Sequence, residues 1–350
     1  MILCSLQKYI PFGLILFILF RSDYCQEGCI THSFPDFSYP NAKTLNNGYQ
    51  IFVSAEGIYS LNPSLTNIIY SYNFTESQKF SLDLDKMKNS INQVEISQFL
   101  KGEGNELVIV YANNFVYILN EFGQYKFSAE LDNKIDTEYS ITLVAYKFDN
   151  GIYYFIIAHN EDSYSLFYYY SIILNENRIH LENTKNISFP EGYSLILPCI
   201  SCQAMISPSV GKKLICFYNY KYSDQYFLIA VLFSPENQFS RLNQSNEIIE
   251  PENKEVKFIK SSINNIGTKS LVCYSVESVD KIKCLNYDIT KEQNYQLNEV
   301  FFNVTYCSPK HYGFKVFFFN GPQEYTVSCT HTDKQKFSVH RFDFKFQSNH

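Results

Sequence analysis

Few residues in this sequence have the types and spacings that metal binding or catalysis requires. Cys199 and Cys202 form a C-x-x-C pair, a pattern that in other chains binds zinc or exchanges disulfides. On a strand, however, residues three apart face opposite sides, and no second C-x-x-C pair completes a set of four ligands. Asp83 and Asp85 would share one face of a strand, where they fit an exposed edge better than a catalytic pair. We therefore predict structural roles for both pairs.

Two glycine-containing segments do not complete a nucleotide-binding loop. Gly102 and Gly104 precede no third glycine and no helix, so they lack the pattern of a dinucleotide loop. Lys212 and Lys213 follow Gly211, but neither an earlier glycine nor a following serine or threonine matches a phosphate-binding loop. Both segments are predicted to be turns, with the two lysines exposed to solvent.

A third cluster, formed by His159, Glu161 and Asp162, gathers near a predicted turn and could hold a cation, although a solvated polar turn is the favoured interpretation. The chain contains no G-x-S-x-G, H-E-x-x-H or EF-hand pattern. We accordingly predict no catalytic residue, no metal site and no cofactor, and we predict that the protein is not an enzyme.

Four cysteines are predicted to join neighbouring strands, since an even set of cysteines in an exported chain favours disulfides. A five-residue turn places Cys202 directly opposite Cys216, and a four-residue turn places Cys273 directly opposite Cys284. Directly opposed residues of antiparallel strands have Cα atoms about 4.5–5.5 Å apart, a separation that suits a disulfide. We predict that both of these bonds form.

Cys307 and Cys329 do not form a third pair of this kind. Each is predicted to lie opposite Phe314, but from different sides, so that two strand spacings, about 9.5 Å, would separate them. A disulfide cannot span that distance without movement of the backbone. The pairing therefore stays open for four cysteines: Cys29, Cys199, Cys307 and Cys329.

The amino-terminal segment predicts export. The uncharged apolar run of residues 9–20 follows Lys8, and as a helix it would span about 18 Å, well short of a hydrocarbon core of roughly 30 Å. We interpret residues 1–25 as a signal peptide, with an uncleaved anchor as the alternative. No later stretch is long and apolar enough to span a membrane as a helix, so we expect a secreted or cell-surface protein.

Four N-x-S/T sequons are predicted to accept glycans in such a protein. Three of them fall in polar segments between the repeats described next, and the fourth falls at the start of a strand. The acceptor residues are Asn73, Asn186, Asn243 and Asn303.

A hairpin pattern recurs six times along the chain. Each copy has an apolar run, a short polar turn and a second apolar run, and the copies are 53 residues apart on average. Each hairpin is flanked by further candidate strands, so the repeat contains about four strands. The first runs of the six hairpins begin near Tyr49, Glu106, Ile152, Lys213, Ser270 and Phe314.

This repeat predicts an all-β, six- or seven-bladed β-propeller of four-stranded antiparallel blades, with a β-sandwich pair as the alternative. The middle strands are apolar at nearly every position, as expected for blades that are covered on both faces. We assign residues 26–45 to an N-terminal segment and 46–346 to the propeller, which either ends there or continues in a longer chain. A change of parity in the final strand predicts a bulge near His340 and Arg341.

The segment YANNFVYILNEFGQYKFSAEL, residues 111–131, resembles a blade of the NHL or YVTN type of β-propeller. The Phe-, Tyr-, Asn-, Ile- and Lys-rich composition and the cysteines within apolar strands are similar to the extracellular portions of large proteins from protists with AT-rich genomes, such as ciliates. This resemblance implies a secreted or surface ectodomain, and it supplies no catalytic residue.

We expect a non-catalytic binding module for a protein or glycan ligand, which contacts the turns at an end of the central channel. The net charge of -6 and the scattered lysines and arginines argue against a nucleic-acid partner. The alternatives are an extracellular glycoside hydrolase with paired carboxylates in the channel, and a structural spacer within a longer surface protein. The candidate contact turns contain Asn113, Glu161, Tyr222 and Asn320.

Overall fold

The computed structural model of this chain is built from β-strands. The structure describes residues 32–34, 41–45, 47–54, 56–63, 68–79, 94–99, 107–133, 135, 141–147, 151–160, 164–188, 194–207, 211–235, 240–244, 248–249, 256–263, 269–276, 281–288, 299–303, 314–318, 324–333 and 336–345. Within these ranges, no helix has the length and hydropathy needed to cross a membrane. The strands of the described residues form six antiparallel sheets of four or five strands, so the prediction of an all-β protein with four-stranded antiparallel sheets is confirmed.

The first strand, β1 (His32–Phe34), belongs to the last sheet, and the next twelve strands form three meanders in chain order. Sheet 1 contains β2 (Asn41–Thr44), β3 (Gln50–Val53), β4 (Gly57–Leu61) and β5 (Ile68–Asn73). Sheet 2 contains β6 (Val94–Gln98), β7 (Val108–Ala112), β8 (Phe115–Leu119) and β9 (Tyr125–Glu130). Sheet 3 contains β10 (Ile141–Lys147), β11 (Tyr153–Asn160), β12 (Tyr164–Ile173) and β13 (Arg178–Ser188).

The remaining strands form three further sheets. Sheet 4 contains β14 (Ser194–Ser207), β15 (Gly211–Tyr222), β16 (Gln225–Ser234) and β17 (Ser240–Gln244), and β18 (Ile248–Ile249) also pairs with β16. Sheet 5 contains β19 (Val256–Ile263), β20 (Lys269–Val276), β21 (Lys281–Asp288) and β22 (Glu299–Asn303). Sheet 6 contains β23 (Phe314–Phe318), β24 (Glu324–Asp333) and β25 (Lys336–Lys345), and β1 is its fourth strand.

The middle strands are apolar because both of their faces meet a neighbouring sheet. In β7, Val110 belongs to a core cluster that includes Val53 of sheet 1, whereas Ile109 belongs to a cluster that includes Phe155 of sheet 3. Successive side chains of a strand point to opposite faces, so one strand contributes to two cores. Further cores join sheets 3 and 4, and sheets 4 and 5. Full burial of each large apolar side chain contributes about 1.5–3 kcal/mol.

The first strands of the six sheets contact one another in chain order. The contacts run from β2 to β6, β10, β14, β19 and β23, and β23 contacts β2 again. The chain ends are also joined, because β1 pairs with β25 and places His32 opposite Val339. In each sheet the first strand forms one edge and the last strand forms the other edge. The last strands are β5, β9, β13, β17 and β22 in sheets 1 to 5, and β1 takes this position in sheet 6.

Two details of the sixth repeat differ from the sequence-based expectation. The hairpin that begins at Phe314 contains the first and second strands of sheet 6, not the second and third, because β1 supplies the fourth strand from the other end of the chain. The prediction of a bulge near His340 and Arg341 is wrong, since β24 and β25 pair without a register shift. The apolar residues change parity because β25 is a middle strand, and a middle strand carries apolar side chains on both faces.

Candidate functional site

The turns between second and third strands lie at one end of their sheets, because successive antiparallel strands run in alternate directions. The chain enters the first strand of a sheet at this same end and returns to it after the fourth strand. The connection to the next sheet therefore also lies at the end that holds the turn between the second and third strands. Asn113 Nδ2, in the β7–β8 turn, donates to Gln78 O after β5 at 3.4 Å. At the opposite end, Asn47 Nδ2 donates to Glu121 O at 2.7 Å and joins the β2–β3 and β8–β9 turns. We call the first of these ends the tight-turn end.

The β7–β8 turn holds two residues in the left-handed region, with φ of 48° at Asn113 and 66° at Asn114. Asparagine tolerates this region, and a two-residue turn of this kind matches the twist of a hairpin. Asn114 Nδ2 donates to Leu131 O at 2.9 Å, and Leu131 N donates to Asn114 O at 2.9 Å. These two bonds tie the turn to the end of β9.

The β15–β16 turn has the same backbone geometry, with φ of 46° at Ser223 and 62° at Asp224. Lys221 Nζ lies 2.9 Å from Asp224 Oδ1. This hydrogen bond and the paired charges lower the pKa of Asp224 and raise the pKa of Lys221. Tyr222 at the same turn is 43% exposed. The turn therefore presents an aromatic ring and an ion pair from an ordered backbone.

Two of the four candidate contact residues, Asn113 and Tyr222, are described, and both lie at the tight-turn end. Glu161 and Asn320 lie outside the described residues. In the sequence, Glu161 falls between the second and third strands of sheet 3, as Asn113 does in sheet 2. In the sequence, Asn320 falls between the first and second strands of sheet 6.

A second set of polar residues links the first strands of neighbouring sheets. In three consecutive pairs of sheets, a hydroxyl on one first strand accepts a hydrogen bond from a backbone N–H on the next. The bonds are Ala145 N to Ser97 Oγ at 2.9 Å, Cys202 N to Thr142 Oγ1 at 3.0 Å, and Ser261 N to Ser201 Oγ at 2.9 Å. A sheet edge has no ladder partner on one side, so these hydroxyls satisfy N–H groups that would otherwise be buried without an acceptor.

These cross-sheet bonds were not predicted from the sequence, although a signal for them exists. Ser97, Thr142 and Ser201 are buried small hydroxyl residues, and each lies on the strand that precedes a hairpin. A buried hydroxyl in such a strand requires a partner, and the next sheet is the nearest source.

Lys43 and Glu95 form an ionisable pair on the first strands of sheets 1 and 2. Lys43 Nζ donates to Ile96 O at 3.3 Å. Burial of the ammonium group lowers the pKa of Lys43 to about 8, and the negative charge of Glu95 opposes part of this shift. Glu95 is 9% exposed, and it is the one carboxylate among the first-strand side chains that the structure describes. Its charged neighbour is a lysine, whereas a glycoside hydrolase requires a second carboxylate.

Both predicted cysteine pairs are in direct register. Cys202 lies opposite Cys216, and the two form a disulfide with Cα atoms 4.0 Å apart. Cys273 lies opposite Cys284 in the same way and is disulfide-bonded. Its partner is not among the described side chains, so the assignment of Cys284 as that partner stays a prediction. Cys29 and Cys307 lie outside the described residues, as does the side chain of Cys199.

Two residues assigned to solvated turns are buried, so that assignment is wrong for them. His159 lies in β11, is 1% exposed and stacks on the ring of Tyr168 with centroids 6.0 Å apart. Lys213 lies in β15, and its Nζ donates to Ser234 Oγ at 3.4 Å. The strands extend further toward their turns than the apolar runs indicated.

Among the described residues no group of three His, Cys, Asp or Glu side chains could hold a metal ion. Asp83, Asp85, Glu161, Asp162, Gly102 and Gly104 lie outside those residues.

All four sequons fall on last strands. The acceptor residues are Asn73 in β5, Asn186 in β13, Asn243 in β17 and Asn303 in β22. The side chains of Asn73 and Asn186 are exposed, which glycan attachment in a folded protein requires. Glycosylation of these residues stays a prediction.

Comparison with known proteins identifies no family. No family model matches the chain, and no curated protein matches it. Among solved structures, an ulvan lyase of a polysaccharide lyase family is 10% identical with a TM-score of 0.43, over 90% of this chain and 84% of that chain. Fructan 1-exohydrolase IIa from Cichorium intybus is 11% identical with a TM-score of 0.42, over 89% and 57%. TolB from Acinetobacter baumannii is 12% identical with a TM-score of 0.38, over 89% and 65%.

Proposed function

We propose that the six sheets are the six blades of a closed β-propeller and that β1 completes the sixth blade. The contacts between first strands support six blades, because the sixth sheet already contacts the first. Two stacked layers would not produce such a cycle of neighbours. The pairing of β1 with β25 also supports closure, since a strand from one chain end completes the blade at the other end.

Removal of β1 tests this closure. A variant that lacks residues 26–34 behind the signal peptide exposes the β25 edge, and we expect it to unfold at a lower temperature and to be cleaved faster within sheet 6. The control replaces Ser33 by Ala, which keeps the backbone that pairs with Ser338. Unchanged unfolding and proteolysis of the shortened chain would show that β1 does not close the ring.

We propose further that the protein is an extracellular binding module whose protein or glycan ligand contacts the tight-turn end. The observation that carries this proposal is the geometry of the two described turns, whose four central residues all have positive φ. Three of these residues, Asn113, Asn114 and Asp224, also form side-chain bonds. A surface that is ordered before binding loses little conformational entropy in the complex. Tyr222 adds an exposed aromatic side chain, a type enriched at binding hot spots.

Export is supported by the Cys202–Cys216 disulfide, because disulfides persist in the secretory pathway and outside the cell. The apolar segment of residues 9–20 supports it as well. Sequencing the amino terminus of protein recovered from the medium of a eukaryotic host tests the assignment. We expect the mature chain to begin close to residue 26.

The binding proposal is tested with two variants of matched exposure. The purified chain is screened on a glycan array and against displayed extracellular proteins, and each ligand found is measured again with Tyr222→Ala and Phe122→Ala. Phe122 is also 43% exposed, but it lies in the β8–β9 turn at the opposite end. We expect Tyr222→Ala to weaken binding about tenfold and Phe122→Ala to leave it unchanged. The reverse pattern would move the site to the other end.

A second candidate function, catalysis at the centre of the ring, is favoured by one observation, the Lys43–Glu95 pair. A pKa of about 8 leaves part of the Lys43 amine unprotonated near neutral pH, as acid–base catalysis requires. The test is hydrolysis of a panel of esters, amides and glycosides by the wild type and by Glu95→Gln. Activity that is lost in Glu95→Gln would favour an enzyme, and no activity in the wild type would favour the binding module.

A further inference from the structure

We propose that an N-linked glycan on Asn73 packs its first N-acetylglucosamine against the ring of Tyr70 and so covers an aromatic surface of sheet 1. This proposal goes beyond ligand binding at the tight-turn end and does not depend on it. It requires that the two residues share a face of the sheet, that the ring reaches Asn73, and that the ring is open to solvent. The described residues meet all three conditions.

Asn73 and Tyr70 share a face because β5 contains a bulge. In a regular strand, residues three apart point to opposite faces. Here Asn73 lies opposite Gly57 and Tyr70 lies opposite Tyr59, with a register shift between the two pairs. Gly57 and Tyr59 are two residues apart on β4, so their positions lie on the same face of the sheet. Residues directly opposite each other on neighbouring strands also lie on one face, so Asn73 and Tyr70 lie on this face too. Ser71 is the extra residue that brings Asn73 onto the face of Tyr70.

The ring reaches Asn73 because Gly57 has no side chain. A Cβ atom on Gly57 would lie 3.0 Å from the Tyr70 hydroxyl and 3.3 Å from Asn73 Cα, and it would clash with the carbonyl oxygen of Tyr72. The phenol therefore extends over the surface that a side chain at position 57 would occupy. That surface lies directly across the strand pair from Asn73.

Neighbouring groups hold the Tyr70 ring while leaving much of it open to solvent. It packs edge-to-face on Tyr59, with centroids 4.7 Å apart and planes at 84°, and its hydroxyl donates to Glu56 O at 3.5 Å. Partial burial, the hydrogen bond with Tyr59 and the charge of Glu56 raise the pKa of Tyr70 to about 12, so the phenol is neutral at pH 7. The residue is nevertheless 49% exposed.

An N-acetylglucosamine attached to Asn73 suits this surface. The C–H groups of a pyranose form an apolar face, which is attracted by the electron-rich face of an aromatic ring. The Asn73 side chain is exposed and the sequon is completed by Thr75. A covalent link holds the first sugar beside Tyr70, so even a weak contact is occupied most of the time. We therefore favour the attached glycan over any separate partner as the occupant of this surface.

Asn186 offers a matched control. Its side chain is also exposed on a last strand, but residues 182–185 before it are charged or polar and include no aromatic ring. The nearest rings in register, Tyr164 and Tyr168, lie diagonally across on β12, where Leu166 is directly opposite Asn186. The two sites therefore differ in the aromatic residue on their own strand and agree in exposure and strand type.

The first test is a nuclear magnetic resonance measurement on the full chain secreted by a eukaryotic host. An endoglycosidase trims each glycan to one N-acetylglucosamine, and the acetyl methyl signals are assigned with Asn73→Gln and Asn186→Gln. We expect the ring current of Tyr70 to shift the methyl signal at Asn73 upfield and to leave the signal at Asn186 unshifted. Tyr70→Phe keeps the ring and the shift, whereas Tyr70→Ala abolishes the shift.

The second test measures urea unfolding of the same trimmed proteins. With Tyr70 present, Asn73→Gln is expected to raise the unfolding equilibrium constant about two- to tenfold, and with Tyr70→Ala it is expected to have little effect. Asn186→Gln should change the unfolding equilibrium constant by the same factor with Tyr70 present and with Tyr70→Ala. The proposal is overturned if Asn73 carries no glycan, if its methyl signal is unshifted beside Tyr70, or if Asn73→Gln has the same effect in both backgrounds.

Discussion

The two edges of sheet 3 avoid further pairing in different ways, although each lacks a neighbouring strand on one side. The first strand β10 is buried at six of its seven residues, and Thr142 on it bonds to the next sheet. The last strand β13 has no buried residue and is largely polar. The comparison teaches that an edge enclosed by other sheets is satisfied by side-chain hydroxyls, whereas an edge in solvent is protected by polarity and irregular backbone.

The irregular backbone of the last strands is systematic in sheets 1 to 4. In each of these sheets the third and last strands pair with a register shift, which leaves one extra residue in the last strand. The extra residues are Ser71, Lys126, Glu182 and Leu242. A bulge increases local twist and turns the edge away from a flat partner strand. The outer edges are therefore poor templates for aggregation.

The largest effect is expected from the covalent link on a first strand. The Cys202–Cys216 disulfide ties β14 to β15 across a sequence separation of 14 residues, whereas the last strand β13 contains no cysteine. We expect Cys202→Ala/Cys216→Ala to lower the free energy of unfolding by about 3 kcal/mol, measured by urea denaturation. Reduction of the wild type is the control. A loss below about 0.5 kcal/mol would mean that packing alone holds this edge.

A smaller effect is expected from the hydroxyl that links two first strands. Thr142→Val keeps the shape of the side chain and leaves Cys202 N–H buried without this acceptor, so we expect a loss of about 1–3 kcal/mol in the free energy of unfolding. Thr184→Val on the exposed strand β13 is the control, with an expected change within about 0.5 kcal/mol. Equal effects of the two variants would remove the distinction between the edges.

The ionisable pair on the first strands gives a pH-dependent prediction. The pKa of Lys43 is about 8 in the folded protein, against the ordinary lysine value of 10.5 expected in the unfolded chain. The unfolded chain therefore binds more protons between these two values, and stability rises with pH there. Lys43→Met/Glu95→Gln should abolish this rise and raise stability at pH 7 by about 1 kcal/mol. Unfolding by urea at several pH values measures both effects.

The control for the pH experiment is a pair of the same residue types on a last strand. Glu182 and Lys185 are both exposed on β13. Lys185→Met/Glu182→Gln is expected to change stability by less than about 0.5 kcal/mol. The wild type and Lys43→Met/Glu95→Gln could gain equal stability as the pH rises between the two pKa values of Lys43. In that case this lysine is not the source of the pH dependence.

The smallest effect on stability is expected at the exposed last strand β13. The same change should have the clearest effect on association between molecules. Glu182→Val/Lys185→Val removes two charges from β13, and we expect a stability change within about 0.5 kcal/mol because both side chains are exposed. The uncharged edge should pair with other molecules more readily, which light scattering at increasing concentration would detect. A variant that stays monomeric would show that the bulge alone protects this edge.

The hairpins and part of the tight-turn end could be predicted because they depend on a few consecutive residues. Counting from a five-residue turn places Cys202 opposite Cys216, and the structure has this register. The turn that contains Asn113 was predicted because it lies between two apolar runs, and both of its central residues, Asn113 and Asn114, have positive φ. The bulge at Ser71 was not predicted, since nothing in the local pattern of β5 marks the extra residue. Its partner strand determines where the register shifts.

The amino-acid sequence by itself determined the all-β character, the repeat and the register of the two hairpins that contain paired cysteines, because the period of two and the turn length act over short distances along the chain. Only the tertiary structure decided that β1 pairs with β25, that Thr142 binds Cys202 across 60 residues, and that Lys43 lies beside Glu95. These contacts join segments that are distant in the sequence. They form only when the sheets pack side by side, so their partners depend on the number and order of all the sheets.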